Sequence, residues 1–349
     1  MSDRETMRAA VLHEIRDLRV EDIKIPEMKN DEVMIKIRAN GICGSDIHFY
    51  EKGELGPFKV EEPYVPGHES SGEVIETGEN VESLKEGDKV VVEPGLPCRK
   101  CEYCKTGRYN LCPEVTFLSA PPVNGTLSEY VSVPADFVYK IPENMSYLEG
   151  ALVEPTVVGV HACNRGEITA GMSAVVLGVG PIGLLTLQAV RAYGVTEVIA
   201  VDIIPERLEL AQKLGATTII NAKKENIENK MQMITNDKGV DVAFETAGNT
   251  ETSRSSVNLV KRGGTVVHVG WTDPGEFPYS IETVMEKELD IKGVNRYANA
   301  YPTAIALIAE GKIRVKPLIT HTFDLEEAKK AFAYALNNRQ AVIKAVVES

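Results

Sequence analysis

Ser173-Ala174-Val175-Val176-Leu177-Gly178-Val179-Gly180-Pro181-Ile182-Gly183 is an apolar, strand-forming run that breaks into three glycines and then enters the helix-like stretch Ile182 to Tyr193. Strand, tight turn and helix start in that order form a dinucleotide fingerprint. The glycines let the backbone approach a pyrophosphate, and the helix N-terminus offers unpaired N–H donors. Asp202, 19 residues after Gly183, ends the next apolar strand and supplies an acceptor for ribose hydroxyls. Gly178, Gly180, Pro181, Ile182, Gly183 and Asp202 are therefore the candidate cofactor residues. A fixed negative charge beside the 2′ position repels a 2′-phosphate, which favours NAD over NADP; Arg207, in the following helix, is the candidate that softens this preference.

Outward from the fingerprint, short apolar strands recur at Val198 to Val201, Thr218 to Ile220, Val240 to Phe244, Thr265 to Val269 and Ile291 to Val294. Helical patterns separate them, among them Pro205 to Leu214 and Thr250 to Lys261. Buried strands alternating with crossover helices predict a doubly wound parallel sheet, an α/β fold. Before residue 155 the character differs. Short β-rich runs (Val33 to Arg38, Gly72 to Thr77, Lys89 to Val92, Glu129 to Val133) alternate with Gly/Pro punctuation. After Tyr297 come two helical patterns, Ala300 to Glu310 and Leu325 to Ala335, and a last strand, Ala341 to Val347, expected to rejoin the first domain.

The 349 residues are 43% hydrophobic, enough for two ordinary domains, and 38 Lys+Arg against 51 Asp+Glu give a net charge of −13. An anionic surface makes nucleic acid or an anionic membrane a poor partner. The opening stretch Met1 to Asn30 scatters charge through every turn, and no later run is apolar for ~18 residues, so the expected location is the cytoplasm. Six cysteines in a reducing compartment suggest metal ligands rather than disulfides.

Cys98, Cys101, Cys104 and Cys112 lie with two, two and seven residues between them in a Gly/Pro-rich loop. Four thiolates close one tetrahedron, the pattern of a structural zinc, and the spacing is not that of the common ferredoxin runs. Other metal candidates are dispersed: Cys43 within Gly41-Ile42-Cys43-Gly44-Ser45-Asp46-Ile47-His48, the pair His68-Glu69 after Gly67, and Glu154 before Pro155. Taken singly they fix no site. His161 and Cys163 read as packing residues, and His13, His268 and His321 receive no role.

In order and spacing, Gly41 to His48, Gly67-His68-Glu69, the cysteine loop and Gly178 to Gly183 resemble the zinc-dependent medium-chain alcohol dehydrogenases over nearly the whole chain. Gly107-Arg108-Tyr109-Asn110-Leu111, Ala120-Pro121-Pro122, Gly150 to Pro155 and Gly293 to Tyr297 are similar to its polyol branch, the sorbitol and xylitol dehydrogenases. The resemblance implies a GroES-like β-rich catalytic domain of residues 1–155 and 297–349, and a Rossmann NAD-binding domain of residues 156–296. It also implies a catalytic zinc on Cys43, His68 and a carboxylate, either Glu69 directly or Glu154. Zn²⁺ with one thiolate, one carboxylate and a neutral imidazole is uncharged; both glutamates together would make the site anionic, so the two are expected to exchange or share roles. Ser45 and His48 are implied as the proton path, and Glu154, where Glu69 is the ligand, as the group that hydrogen-bonds the metal's water. Arg296 and Tyr297 are implied as polyol contacts, and Tyr50 and Phe117 as pocket walls.

The activity so implied is oxidation of a polyol hydroxyl with hydride transfer to NAD, in a homotetramer or homodimer paired near Ile291 to Val294. Two other readings remain at this stage: a vicinal-diol or amino-alcohol dehydrogenase with the same apparatus, and a non-catalytic zinc- and nucleotide-binding scaffold. The second predicts a broken ligand set, whereas Cys43, His68 and Glu69 are all present.

Overall fold

The structure is a computed structural model and describes residues 5–271 and 275–349. It divides into two compact units, Pro155–Arg314 and the pair of segments Met1–Glu154 and Val315–Ser349.

The Pro155–Arg314 unit is built on six parallel strands: β1 (Ser173–Leu177), β2 (Glu197–Asp202), β3 (Thr218–Asn221), β4 (Val240–Glu245), β5 (Val260–His268) and β6 (Asp290–Gly293). They lie in the order β3-β2-β1-β4-β5-β6, so the chain reverses direction across the sheet between β1 and β4. Crossover helices α1 (Pro181–Ala192), α2 (Pro205–Lys213), α3 (Ile227–Thr235), α4 (Thr250–Leu259) and α5 (Ile281–Lys287) follow successive strands. Burial explains the sequence pattern. Val175, Leu177, Ile199, Val201, Ala243 and Val266 form one fully enclosed cluster, as strands covered on both faces require. The expected helix through Lys261 stops at Leu259, because Val260 pairs with Val240 and starts β5. At its other end Asn249 caps α4, its side-chain oxygen accepting from Glu251 N and Thr252 N at 3.0 Å.

The second unit joins both chain ends in one sheet. Its order runs Val138–Lys140, Lys89–Val92, Glu69–Thr77, Glu32–Gly41, Lys344–Glu348, Ile319–Asp324, with Tyr130–Pro134 also paired to Glu32–Gly41. The C-terminal strand sits against the site-bearing end of the central one, Val346 opposite Gly41 and Val347 opposite Asn40. Val33, Ile35, Ile37, Val74, Val90 and Val133 fill one core, and Leu12, Leu18, Phe49, Tyr64 and Phe332 another.

The expected boundary at residue 297 is corrected to 315. Gln188 on α1 both donates to Arg314 O (3.3 Å) and accepts from Arg314 N (2.8 Å), which ties residues 297–314 and their helix Tyr301–Ala309 to the parallel-sheet unit.

Candidate active site and metal centres

Cys43 ends the central strand's extension and starts the helix Gly44–Lys52; Glu69 begins the neighbouring strand, with His68 immediately before it. Antiparallel pairing sets Gly41 opposite Glu69. One ligand atom from each of Cys43, His68 and Glu69 therefore falls within 4.8 Å of the others. Gly41 makes room for this: a Cβ there would lie 2.1 Å from Glu69 Oε2. One thiolate, one imidazole and one carboxylate at this separation fit a zinc ion with an open position. Glu154, 6% exposed near the start of the helix Val153–Arg165, is not part of that three-atom cluster.

Two residues that the motif reading did not single out complete the cluster. Asp46 is 1% exposed and accepts from Cys43 N (3.0 Å), Ser119 Oγ (2.8 Å) and Gly67 N (3.3 Å), while its Oδ1 faces His68 Nδ1 at 3.5 Å, an ion-pair distance rather than a hydrogen bond. Burial opposes the Asp46 charge, but His68 and these donors outweigh it and hold its pKa below the ordinary carboxyl value. The same carboxylate thus fixes the backbone of one ligand and orients the ring of the next, leaving His68 Nε2 to face a metal. Lys344, on the C-terminal strand and 3% exposed, places Nζ 2.7 Å from both Glu69 oxygens and 3.1 Å from Ile42 O. Burial disfavours its charge; Glu69, Cys43 and Glu154 overcome that and hold its pKa above the usual lysine value.

Ser45 and His48 stand three residues apart on the helix after Cys43, hence on one face. His48 Nδ1 lies 2.9 Å from Glu54 O, and a carbonyl only accepts, so Nδ1 carries a proton, which in the neutral ring leaves Nε2 as the acceptor. Phe117 stands beside the metal cluster, its ring edge-on to His68 at 5.4 Å. Tyr50 behaves otherwise: 5% exposed, its ring is committed to the core, edge-on to Phe332 at 5.5 Å.

The four sulfurs of Cys98, Cys101, Cys104 and Cys112 also lie within 4.8 Å of one another. Zn–S bonds of ~2.3 Å in a tetrahedron put sulfurs ~3.8 Å apart; Cys98 and Cys104 stand at 3.9 Å and Cys101 and Cys104 at 3.4 Å. Cys98 N and Cys101 N donate to the sulfurs of Cys112 and Cys98 at 3.4 Å, as thiolates require of their surroundings. The set fits a closed structural zinc.

In the parallel-sheet unit Gly178 takes φ +86°, a conformation L side chains rarely adopt, and Pro181 opens α1 behind Gly180. Asp202, 8% exposed, accepts from Val179 N (2.7 Å), Ile203 N (2.7 Å) and Ile204 N (2.9 Å), so the acid braces the fingerprint turn as well as ending β2. Arg207 Nη1 comes within 3.7 Å of where a Cβ on Gly180 would sit. Arg296 has φ +53°, and Tyr297 is 3% exposed and edge-on to Tyr301 at 5.7 Å.

A doubly wound sheet with this fingerprint and a separate unit with two zinc-type donor sets define a metal-dependent dehydrogenase of the dinucleotide-linked kind. Residues 181–310 match the zinc-binding dehydrogenase family and residues 29–143 the alcohol dehydrogenase GroES-like domain. Sorbitol dehydrogenase of Bacillus subtilis (strain 168) is 43% identical over 343 residues, 98% of this chain and 97% of that one. D-xylulose reductase A of Aspergillus niger is 44% identical over 328 residues, 92% of this chain and 91% of its own. Among solved structures, an oxidoreductase/dehydrogenase of unknown specificity from Escherichia coli superposes with a TM-score of 0.95 at 40% identity, covering 98% of this chain and 99% of that one. The chain belongs to the zinc-dependent medium-chain alcohol dehydrogenases, in the polyol branch.

Proposed function

We infer that the protein oxidises a secondary hydroxyl of a sorbitol- or xylitol-type polyol to the ketose and passes the hydride to NAD. The observation that carries this reading is the convergence of Cys43, His68 and Glu69 within 4.8 Å, oriented by Asp46. Zinc held there supplies Lewis acidity that makes a substrate hydroxyl easier to deprotonate, and NAD supplies the hydride acceptor. The chain's own residues manage the proton. Ser45, both donor and acceptor, would take it from the substrate and pass it on toward His48, three residues along the same helix, whose Nδ1 is held by Glu54 O. Phe117 walls the site beside His68, and the role the family resemblance gives Arg296 is a planar fork for two vicinal hydroxyls.

Names borne by the relatives, sorbitol dehydrogenase and D-xylulose reductase, support a polyol over a simple diol or an amino alcohol. No helix among the described residues is long and apolar enough to cross a membrane, and a cytoplasmic homotetramer or homodimer joined along β6 is the arrangement proposed. A steady-state screen of polyols, diols and amino alcohols with NAD and NADP tests the reading. Sorbitol or xylitol with NAD should give the highest kcat/KM; turnover confined to diols or amino alcohols moves the substrate class. Zinc-loaded protein that reduces NAD with none of them refutes the reading.

A further inference from the structure

Three loops follow the carboxyl ends of β1, β4 and β5, where ligands bind in sheets of this kind: Gly178 to Gly183, Thr246 to Asn249, and Val269 to Trp271. One buried residue, used by no step above, ties the last two together, the second through its side chain and the third through its backbone carbonyl. Glu245, the final residue of β4, is fully buried, and its Oε1 accepts from Ala247 N (3.0 Å), Gly248 N (3.0 Å) and Thr252 Oγ1 (2.8 Å). Its backbone carbonyl accepts from Val269 N (2.8 Å) and Gly270 N (3.0 Å). Oε2 has no hydrogen-bond partner among the described residues.

The loop that Glu245 holds is the shelf on which the fingerprint rests. Thr246 N donates to Leu177 O (2.9 Å), and Thr246 Oγ1 to Gly178 O (2.6 Å). A Cβ on Gly178 would lie 2.7 Å from Ala247 Cα, so the turn and the shelf touch backbone to backbone. Gly248 is packed as closely against the third loop: a Cβ on Gly270 would come within 2.4 Å of Gly248 N. A displacement of the shelf therefore reaches the turn whose amides must aim at a diphosphate.

We propose that Glu245 is a positioning residue for the dinucleotide, acting through one acceptor oxygen that fixes the Ala247–Gly248 shelf beneath the Gly178 turn. The acceptor matters rather than the charge. All three side-chain contacts fall on Oε1, and a second buried anion under a diphosphate site is electrostatically unfavourable. Glutamine keeps such an acceptor; alanine removes it.

The proposal rests on the reading of this crevice as a dinucleotide site, and a fluorescence titration with NADH separates the two. Wild-type protein that does not bind NADH refutes that reading. If it binds, Glu245→Ala should weaken NADH about tenfold or more, with metal content unchanged and kcat at saturating NAD within about threefold. Glu245→Gln should bind NADH within about threefold of wild type, even if its unpaired amide lowers Tm. Wild-type affinity in Glu245→Ala, or equal losses in Ala and Gln, overturns the proposal. Should Glu245→Ala not fold, Thr252→Val removes one of the three donors from the rim: about threefold weaker NADH binding supports the proposal, and unchanged binding overturns it.

Discussion

Lys344→Met withdraws a buried ammonium from the metal cluster and leaves Glu69 without its partner. Nζ sits 2.7 Å from each Glu69 oxygen, at a residue only 3% exposed. Two unit charges ~4 Å apart at an effective dielectric near 20 attract by ~4 kcal/mol, and removing one member of a buried pair costs about 3–5 kcal/mol because the other charge stays behind. In a folding unit of this size, a loss of ~3 kcal/mol lowers Tm by roughly 6–12 °C in metal-free protein. Zinc reverses part of the loss. In the wild type, a cation arriving at Cys43, His68 and Glu69 competes with Lys344 for the carboxylate and is repelled by the ammonium. In the variant it meets a carboxylate with no other cation. Recovery of half the pair energy, ~2 kcal/mol, corresponds to about thirtyfold tighter zinc. The assay is chelator competition followed by metal release, with melting curves of zinc-loaded and stripped protein. The four-cysteine site serves as an internal reference, and Lys344→Arg, which keeps the charge, should stay near wild type. Faster loss of the catalytic zinc from Lys344→Met than from wild type, or an unchanged Tm in stripped protein, refutes the reasoning.

The two metal clusters should separate by mutation. Wild-type protein should hold two zinc ions per chain; Cys43→Ser or His68→Ala should abolish polyol oxidation while the protein stays folded, whereas Cys101→Ser should lower Tm and leave the chemistry possible. A fully stable Cys101→Ser with unchanged metal content would contradict the structural site. Asp202→Ala should raise NADP use and weaken NAD, since one charge ~4 Å from a phosphate repels by ~1–4 kcal/mol, or roughly a fivefold to nearly thousandfold preference; kcat/KM with both cofactors checks it, and unchanged discrimination would place the determinant elsewhere. Glu93 is 1% exposed, and burial lifts its carboxyl from 4.5 to about 7 despite the Tyr139 hydroxyl donating at 2.9 Å. The folded state therefore binds more protons than the unfolded chain across that interval, and the stabilisation present below pH ~4.5 is lost as pH rises through about 7, by up to ~3 kcal/mol. Melting curves of wild type and Glu93→Gln from pH 4.5 to 8 should show the wild type losing ground relative to the variant; a constant difference rejects the linkage.

Features whose physics is short-range could be read directly from the chain. The Gly178 turn needs glycine because of its own φ of +86°, and the strands of the parallel sheet declare themselves because both of their faces are covered. Other features depend on partners far away in sequence. Tyr301–Ala309 carries an apolar stripe that either unit could bury, and Gln188, 126 residues from Arg314, assigns its segment. Tyr50 stands two residues beyond His48 on the same helix, and only Phe332 reveals that its ring serves the core. Asp46 reads as an ordinary first-turn helix acid until Gly67, His68 and Ser119 close around it.

Lys344 is the plainest instance, because in Ala341-Val342-Ile343-Lys344-Ala345-Val346-Val347 it looks like a solvated break in a strand, and its partner Glu69 lies 275 residues earlier. Charge neutrality nevertheless points to it. A zinc ion with one thiolate and one carboxylate is neutral, and the motifs bring two glutamates to the site, so a second carboxylate leaves one negative charge uncompensated in a buried place. An uncompensated buried charge is too costly to persist, which requires a cation within the cluster. Glu69, Cys43 and Glu154 all act on the Lys344 ammonium, so that lysine offsets the second glutamate, while the Asp46 carboxylate is met separately by His68 and by donors from Cys43, Gly67 and Ser119.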